Sequence, residues 1–291
     1  MEKNSLSDYS PKHSWLVCID SDGCAFDTME LKHKECFCPV TIRLWDLQPI
    51  SKFARDAWDY GNLYSKHRGR SRFHEMVLLY DLLKDRKDVQ AYNYEFPDIS
   101  SLREWVDTSS LLSNADLKNY PDDPILAKTL EWSLECNRNI AEMVHGVPPF
   151  PGVRESLVSL AGKADIAIVS ATAQQALQQE WTEHDLMPFV HQLCAQEDGS
   201  KKHCIRELSK HYAPDHVLML GDAPGDMEAA KANNALFFPI IPGREIASWQ
   251  EFLQSGIPSF LDGSYRGEYE NRRIHEFDQS LPDSPPWETI S

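Results

Sequence analysis

Four short apolar runs, each ending in a polar group, limit what this chain can fold into more than any other feature of its 291 residues. Residues 14–19 lead to Asp20, 164–169 to Ser170, 189–195 to Gln196-Glu197-Asp198, and 216–220 to Gly221-Asp222. Runs of that length read as strands buried on both faces. Helix-period stretches at 152–163, 174–184 and 201–211 alternate with the later runs. Strands alternating with helices build a parallel sheet whose polar groups collect at its C-terminal edge. The expected class is α/β, with a Rossmann-like parallel sheet as the core.

Residues 29–148, between the first run and the second, show no strand pattern and carry amphipathic helix candidates at 50–64, 72–86, 99–106 and 124–145. Such an interruption predicts an all-helical cap domain (29–148) inserted into a discontinuous core (12–28 and 149–243). Pro148, Pro149 and Pro151, followed by Gly152, mark the return to the core, because prolines cannot continue a helix. Trp45, Trp58 and Trp105 read as the interior of the cap. The extension at 244–291 carries Trp249, Phe252, Phe260, Tyr265, Tyr269, Phe277 and Trp287. That much aromatic surface predicts packing on the core.

A net charge of −16 repels phosphate backbones and anionic lipid, so neither nucleic acid nor a membrane is an expected partner. Residues 1–13 are largely polar, and the longest apolar run, 235–241, is interrupted by Pro239 and far short of a membrane span. Seven cysteines, an odd count at low density, read as free thiols. A cytoplasmic protein is expected.

Asp20-Ser21-Asp22-Gly23 sets two carboxylates just past a buried strand, and Gly221-Asp222-Ala223-Pro224-Gly225-Asp226 repeats the arrangement far along the chain. Taken singly, each is compatible with turn or cap chemistry. Together they bring four acids to one sheet edge, where repulsion calls for a cation, and magnesium suits hard oxygen ligands. Strand-end Ser170 and a lysine at a helix start, Lys201 or its neighbour Lys202, lie between the two acidic pairs. Lys201 is favoured, since it puts Ile205 and Leu208 on one helix face.

In that order the four elements resemble the motifs of the haloacid dehalogenase-like hydrolases. Asp20-Ser-Asp-Gly-Cys-Ala-Phe-Asp27-Thr28 and Phe150-Pro-Gly-Val-Arg-Glu-Ser-Leu157 further resemble the phosphoglycolate phosphatase and β-phosphoglucomutase branch, which places a helical cap after its first motif. The resemblance implies a hydrolase of phosphoric monoesters. Asp20 would be the nucleophile and form an aspartyl-phosphate, and Asp22 the acid and base. Ser170 would hydrogen-bond a phosphoryl oxygen, and Lys201 would offset its charge. Magnesium would be held by Asp20, Asp222 and the main-chain carbonyl of Asp22, with Asp226 behind them. Relatives that cleave carbon–halogen bonds lack the second acid, so Asp22 points to phosphoryl transfer, because an alkoxide leaving group needs a proton and a halide does not. The expected function is a magnesium-dependent phosphatase acting on a small phosphorylated metabolite. The rivals are a phosphomutase using the same residues and a non-catalytic protein that binds a phosphate ligand.

Lys66-His-Arg-Gly-Arg-Ser-Arg72 is the densest basic run in the chain. It reads as a solvated loop between helices, against the alternative that Arg68, Arg70 and Arg72 clamp a distal anion of the substrate. Cys36 and Cys38 with His33 lack a second thiol pair at zinc-like spacing and read as ordinary thiols.

Overall fold

The computed structural model describes residues 6–288, which form two compact units: 6–28 with 146–281, and 29–145 with 282–288. The first holds a five-stranded parallel sheet of β1 (Leu16–Ile19), β2 (Asp165–Val169), β3 (Gln192–Cys194), β4 (Val217–Gly221) and β5 (Leu236–Pro239), in the order β3-β2-β1-β4-β5. Side chains alternate across it. Val17, Ile19, Ile166, Ile168, Leu218 and Leu220 enter one apolar cluster, and Leu16, Cys18, Ala167, Val169, Val217 and Met219 enter another. Covering both faces explains why these strands read as unbroken apolar runs rather than alternating ones. β5, which falls in the apolar run 235–241, was not among the expected strands.

β1 sits centrally, with Ile19 opposite Ile168 of β2 and Leu220 of β4. The residues that follow these strands, Asp20, Ser170 and Asp222, therefore emerge side by side at one edge. The chain turns outward in both directions from β1, and this switch point is where open parallel sheets bind their ligands. The helices Val153–Leu160, Gln174–Glu183 and Lys201–Ser209 lie within the stretches whose periodicity predicted them.

The second unit is helical. Ser51–Leu63, Arg72–Asp85, Ser100–Thr108 and Pro124–Met143 match the amphipathic candidates to within two residues at each end. Asp123 accepts the amides of Ile125 and Leu126, both at 2.9 Å, ahead of Pro124, which joins a side-chain cap to a proline whose missing N–H costs nothing there. Trp45, Trp58, Trp105 and Trp132 are buried in its core. Residues 28–44 are also helical, which the periodicity did not predict. A π-helical stretch, Lys32–Phe37, interrupts them, and a π turn shifts the apolar phase away from 3.6 residues.

The extension divides. Trp249, Phe252, Phe260, Tyr265 and Phe277 pack on the sheet unit. Trp287 does not, and the expectation for 244–291 as a whole is corrected. The Arg86 guanidinium lies 4.5 Å from the Trp287 ring and 4.6 Å from that of Phe53, and Tyr60 meets Trp287 edge-on at 5.7 Å, all within the helical unit. A planar cation between two aromatic faces accounts for the change of side. Among the described residues no helix is long and apolar enough to cross a membrane.

Candidate active site

Asp20 leaves β1 with its amide donating to the Leu220 carbonyl at 3.0 Å. Its Oδ1 accepts the Ser21 amide at 2.8 Å and its Oδ2 meets Lys201 Nζ at 2.6 Å. Lys201 also reaches Asp226 Oδ1 at 2.6 Å. Lys202, one residue on, is exposed, so Lys201 is the lysine of this cluster. Asp226 Oδ2 in turn accepts the Ala223 amide at 3.1 Å, closing the first turn of the helix Pro224–Lys231. Gly221 makes that fold-back possible: a Cβ there would lie 2.3 Å from the Asp226 Cβ.

Asp20, Asp222 and Asp226 are all buried, and each presents a carboxylate oxygen within 4.8 Å of the others. Burial pushes the Asp20 carboxyl well above the usual carboxylate range, with Asp226 and Asp222 adding to the rise and Lys201 opposing it. For Lys201, burial alone would lower the pKa. The charges of Asp20 and Asp226 outweigh it and hold the ammonium protonated far above neutrality. A hard-oxygen set of three carboxylates with a single ammonium among them fits a divalent cation such as magnesium.

Asp22 stands beside this cluster, past which Gly23 turns the chain at φ 75°. Thr172 Oγ1 donates to Asp22 Oδ2 at 2.8 Å, and Thr28 Oγ1 donates to Oδ1. Ser170 is buried, and its Oγ accepts the Thr172 amide at 3.2 Å. Sequence reasoning took Ser170 from the strand end and overlooked Thr172, whose signal was a second hydroxyl two residues beyond that end.

The three arginines are not equivalent. Arg68 is buried and donates to the Leu63 carbonyl at 2.9 Å. Arg72 opens a helix, donates to Ser133 and to Asn137 Oδ1 (2.7 Å), and lies over the Phe37 ring at 4.7 Å. Arg70 is exposed. The expected solvated loop is thus, for Arg68 and Arg72, a pair of internal ties of the helical unit, because buried carbonyls and an aromatic face capture their planar donors.

A second cluster lies at the opposite edge of the sheet. Asp165, the first residue of β2, accepts the amides of Lys12 (2.8 Å) and His13 (3.1 Å), His13 Nδ1 (2.9 Å) and the Tyr212 hydroxyl (2.7 Å). His191 Nε2 is 3.7 Å away, while its Nδ1 accepts the Ile166 amide at 3.0 Å. With Nδ1 accepting, the neutral ring carries its proton on Nε2, the atom that would have to ligate a metal. The group is a hydrogen-bonded clasp.

Residues 100–239 match the family described as haloacid dehalogenase-like hydrolases. A solved structure from Bacteroides fragilis, provisionally designated a haloacid dehalogenase-like hydrolase, is similar at TM-score 0.50 and 14% identity, over 81% of this chain and 93% of that one. Looser similarity extends to a provisionally designated phosphoglycolate phosphatase from Lactobacillus plantarum (TM-score 0.43, 13% identity, 81% and 90% covered). It extends also to a provisionally designated β-phosphoglucomutase from Thermotoga maritima (0.40, 16%, 81% and 99%). No curated protein matches the sequence. Over residues 100–239 the chain is thus similar to the haloacid dehalogenase-like hydrolases, and its fold is shared with the Bacteroides fragilis structure.

Proposed function

We propose that the chain is a magnesium-dependent phosphatase of a small phosphorylated metabolite, working through an aspartyl-phosphate on Asp20, with the helical unit as its cap. The observation that carries the reading is the buried cluster of Asp20, Asp222 and Asp226 around Lys201 at the switch point of the sheet. An Asp20 oxygen attacks phosphorus and the ester P–O bond breaks, while Asp22 gives its proton to the departing alkoxide. Asp22 then takes a proton from the water that cleaves the aspartyl-phosphate, which releases inorganic phosphate and restores both acids. Both Asp22 oxygens accept threonine hydroxyls, which fix the carboxyl in orientation while the second lone pair of either oxygen can still carry the proton.

Lys201 holds positive charge against the nucleophile and the incoming phosphoryl oxygens, and Ser170 offers them a hydroxyl. Asp226, with its oxygens on Lys201 and the Ala223 amide, keeps the lysine in place. Magnesium held by Asp20, Asp222 and the Asp22 carbonyl would neutralise charge on the transferred phosphoryl group. Free thiols at all seven cysteines agree with a reducing, cytoplasmic setting.

Turnover of p-nitrophenyl phosphate and of a panel of sugar and glycolytic phosphates, with magnesium and with chelator, tests the reading. Asp22→Asn should slow single-turnover phosphorylation by an alkyl ester far more than by the aryl ester, whose leaving group hardly needs a proton. If no ester is turned over and no phosphoenzyme is trapped, the reading fails. Turnover that requires an added sugar bisphosphate would shift it to a phosphomutase.

A further inference from the structure

Ser21 lies between the two catalytic acids and takes no part in the chemistry proposed above, yet it is the hub of their loop. Its amide donates to Asp20 Oδ1 at 2.8 Å, and its carbonyl accepts the amides of Cys24 (3.3 Å), Ala25 (2.9 Å) and Phe26 (3.1 Å). Its buried hydroxyl donates to Glu180 Oε2 at 2.7 Å and accepts from Trp181 Nε1 at 2.9 Å. An indole N–H can only donate. The hydroxyl proton therefore has one destination, the Glu180 carboxylate, and the side chain has one rotamer that satisfies both partners.

We infer that Glu180 is a positioning residue for the nucleophile, acting through the Ser21 hydroxyl to hold the peptide whose N–H rests on Asp20. The inference rests on the reading of Asp20 as nucleophile. Glu180 and Trp181 belong to the helix Gln174–Glu183. The loop just before that helix carries Thr172, which holds Asp22 at 2.8 Å. One continuous segment thus grips Asp22 at its start and Ser21 near its end. Trp181 also meets Phe26 edge-on at 5.5 Å, and Trp249 Nε1 donates to the Cys24 carbonyl at 2.8 Å, so the far side of the loop is already fixed. The bond that can be removed without opening the core is the one to Glu180, which is only half-buried.

Without that acceptor the hydroxyl turns, the Ser21 peptide gains freedom, and the Asp20 oxygen loses its line of attack. Misplacement of a reacting group by about 1 Å costs on the order of a hundredfold in rate. Glu180→Ala and Ser21→Ala should each lower kcat on p-nitrophenyl phosphate by roughly ten- to a hundredfold and leave KM nearly unchanged. The double variant should be no slower than the worse single one, because both remove the same bond. Glu180→Gln keeps an oxygen acceptor and should recover most of the rate lost in Glu180→Ala. A fall in melting temperature with kcat unchanged would make the bond merely structural and overturn the inference, as would a Gln variant as slow as the Ala variant. Wild-type protein that turns over no ester would remove the phosphatase reading and this inference with it. Active wild type with unaffected variants would remove the inference alone.

Discussion

The two ends of one sheet bury aspartates in opposite circumstances. At the N-terminal edge Asp165 is ringed by donors. Burial would raise its pKa, but hydrogen bonds from Tyr212, from His13 and from the backbone outweigh burial and leave it below the usual carboxylate range. At the C-terminal edge Asp20, Asp222 and Asp226 face one another across a single ammonium, and Asp20 is pushed up. The first arrangement satisfies itself and ties the segment at Lys12 and His13 to β2 and to Tyr212. The second stores repulsion that a cation would relieve. Burial of acids alone therefore does not distinguish the two edges; the charge of the groups that face each acid does.

The sharpest way to break this contrast is to neutralise one acid at each end. Asp20→Asn removes the attacking oxygen's charge with little change of shape, so turnover should fall by several orders of magnitude while the protein still folds. Asp165→Asn should leave kcat within about threefold, since it removes a clasp and no reacting group. Steady-state rates on one aryl phosphate, normalised to folded protein, decide between them. A comparable loss in both variants would mean that the two edges are coupled, and the contrast would fail.

The C-terminal edge is largely legible in the amino-acid sequence because strand-end chemistry is local: a buried run followed by an acid fixes where Asp20 and Asp222 emerge. Helix phase picks Lys201 over Lys202, and the pair of 2.6 Å contacts is its spatial counterpart. What stays hidden depends on partners distant in the chain. Nothing near Asp165 announces that Tyr212 and His13 will surround it, and the Ser21–Glu180 bond joins positions 159 residues apart. Trp287 misleads for a similar reason. Its aromatic surface calls for burial, but the choice of the helical unit rests on Arg86, whose planar face no sequence period reveals.

Stability separates the edges next. Losing a charged acceptor among four donors should cost Asp165→Asn about 1–3 kcal/mol at pH 6. The sign of its pH dependence follows from a pKa depressed on folding: the contribution is complete above the unfolded value of 3.8 and is lost as pH falls through the folded one. Urea titrations should therefore show the gap between wild type and variant constant from pH 7 to about 5 and closing only below about 4. A gap that closed between pH 5 and 7 would instead show that the depressed carboxyl of Asp165 is not its source.

The smallest expected effect bears on the other edge. Three carboxylates that repel one another in the native state and separate on unfolding should bind magnesium only when folded, so the ion must stabilise the sheet unit. At roughly ten times its Kd, magnesium adds about 1.4 kcal/mol, a rise of about 3–6 °C for a protein of this size. Asp222→Ala should abolish that rise. Asp165→Asn should retain it in full, because its oxygens are committed to protein donors and none is left for a cation. Differential scanning fluorimetry with and without the ion reads both variants side by side. A magnesium response that survives Asp222→Ala but disappears in Asp165→Asn would reverse the assignment of clasp and site between the two edges.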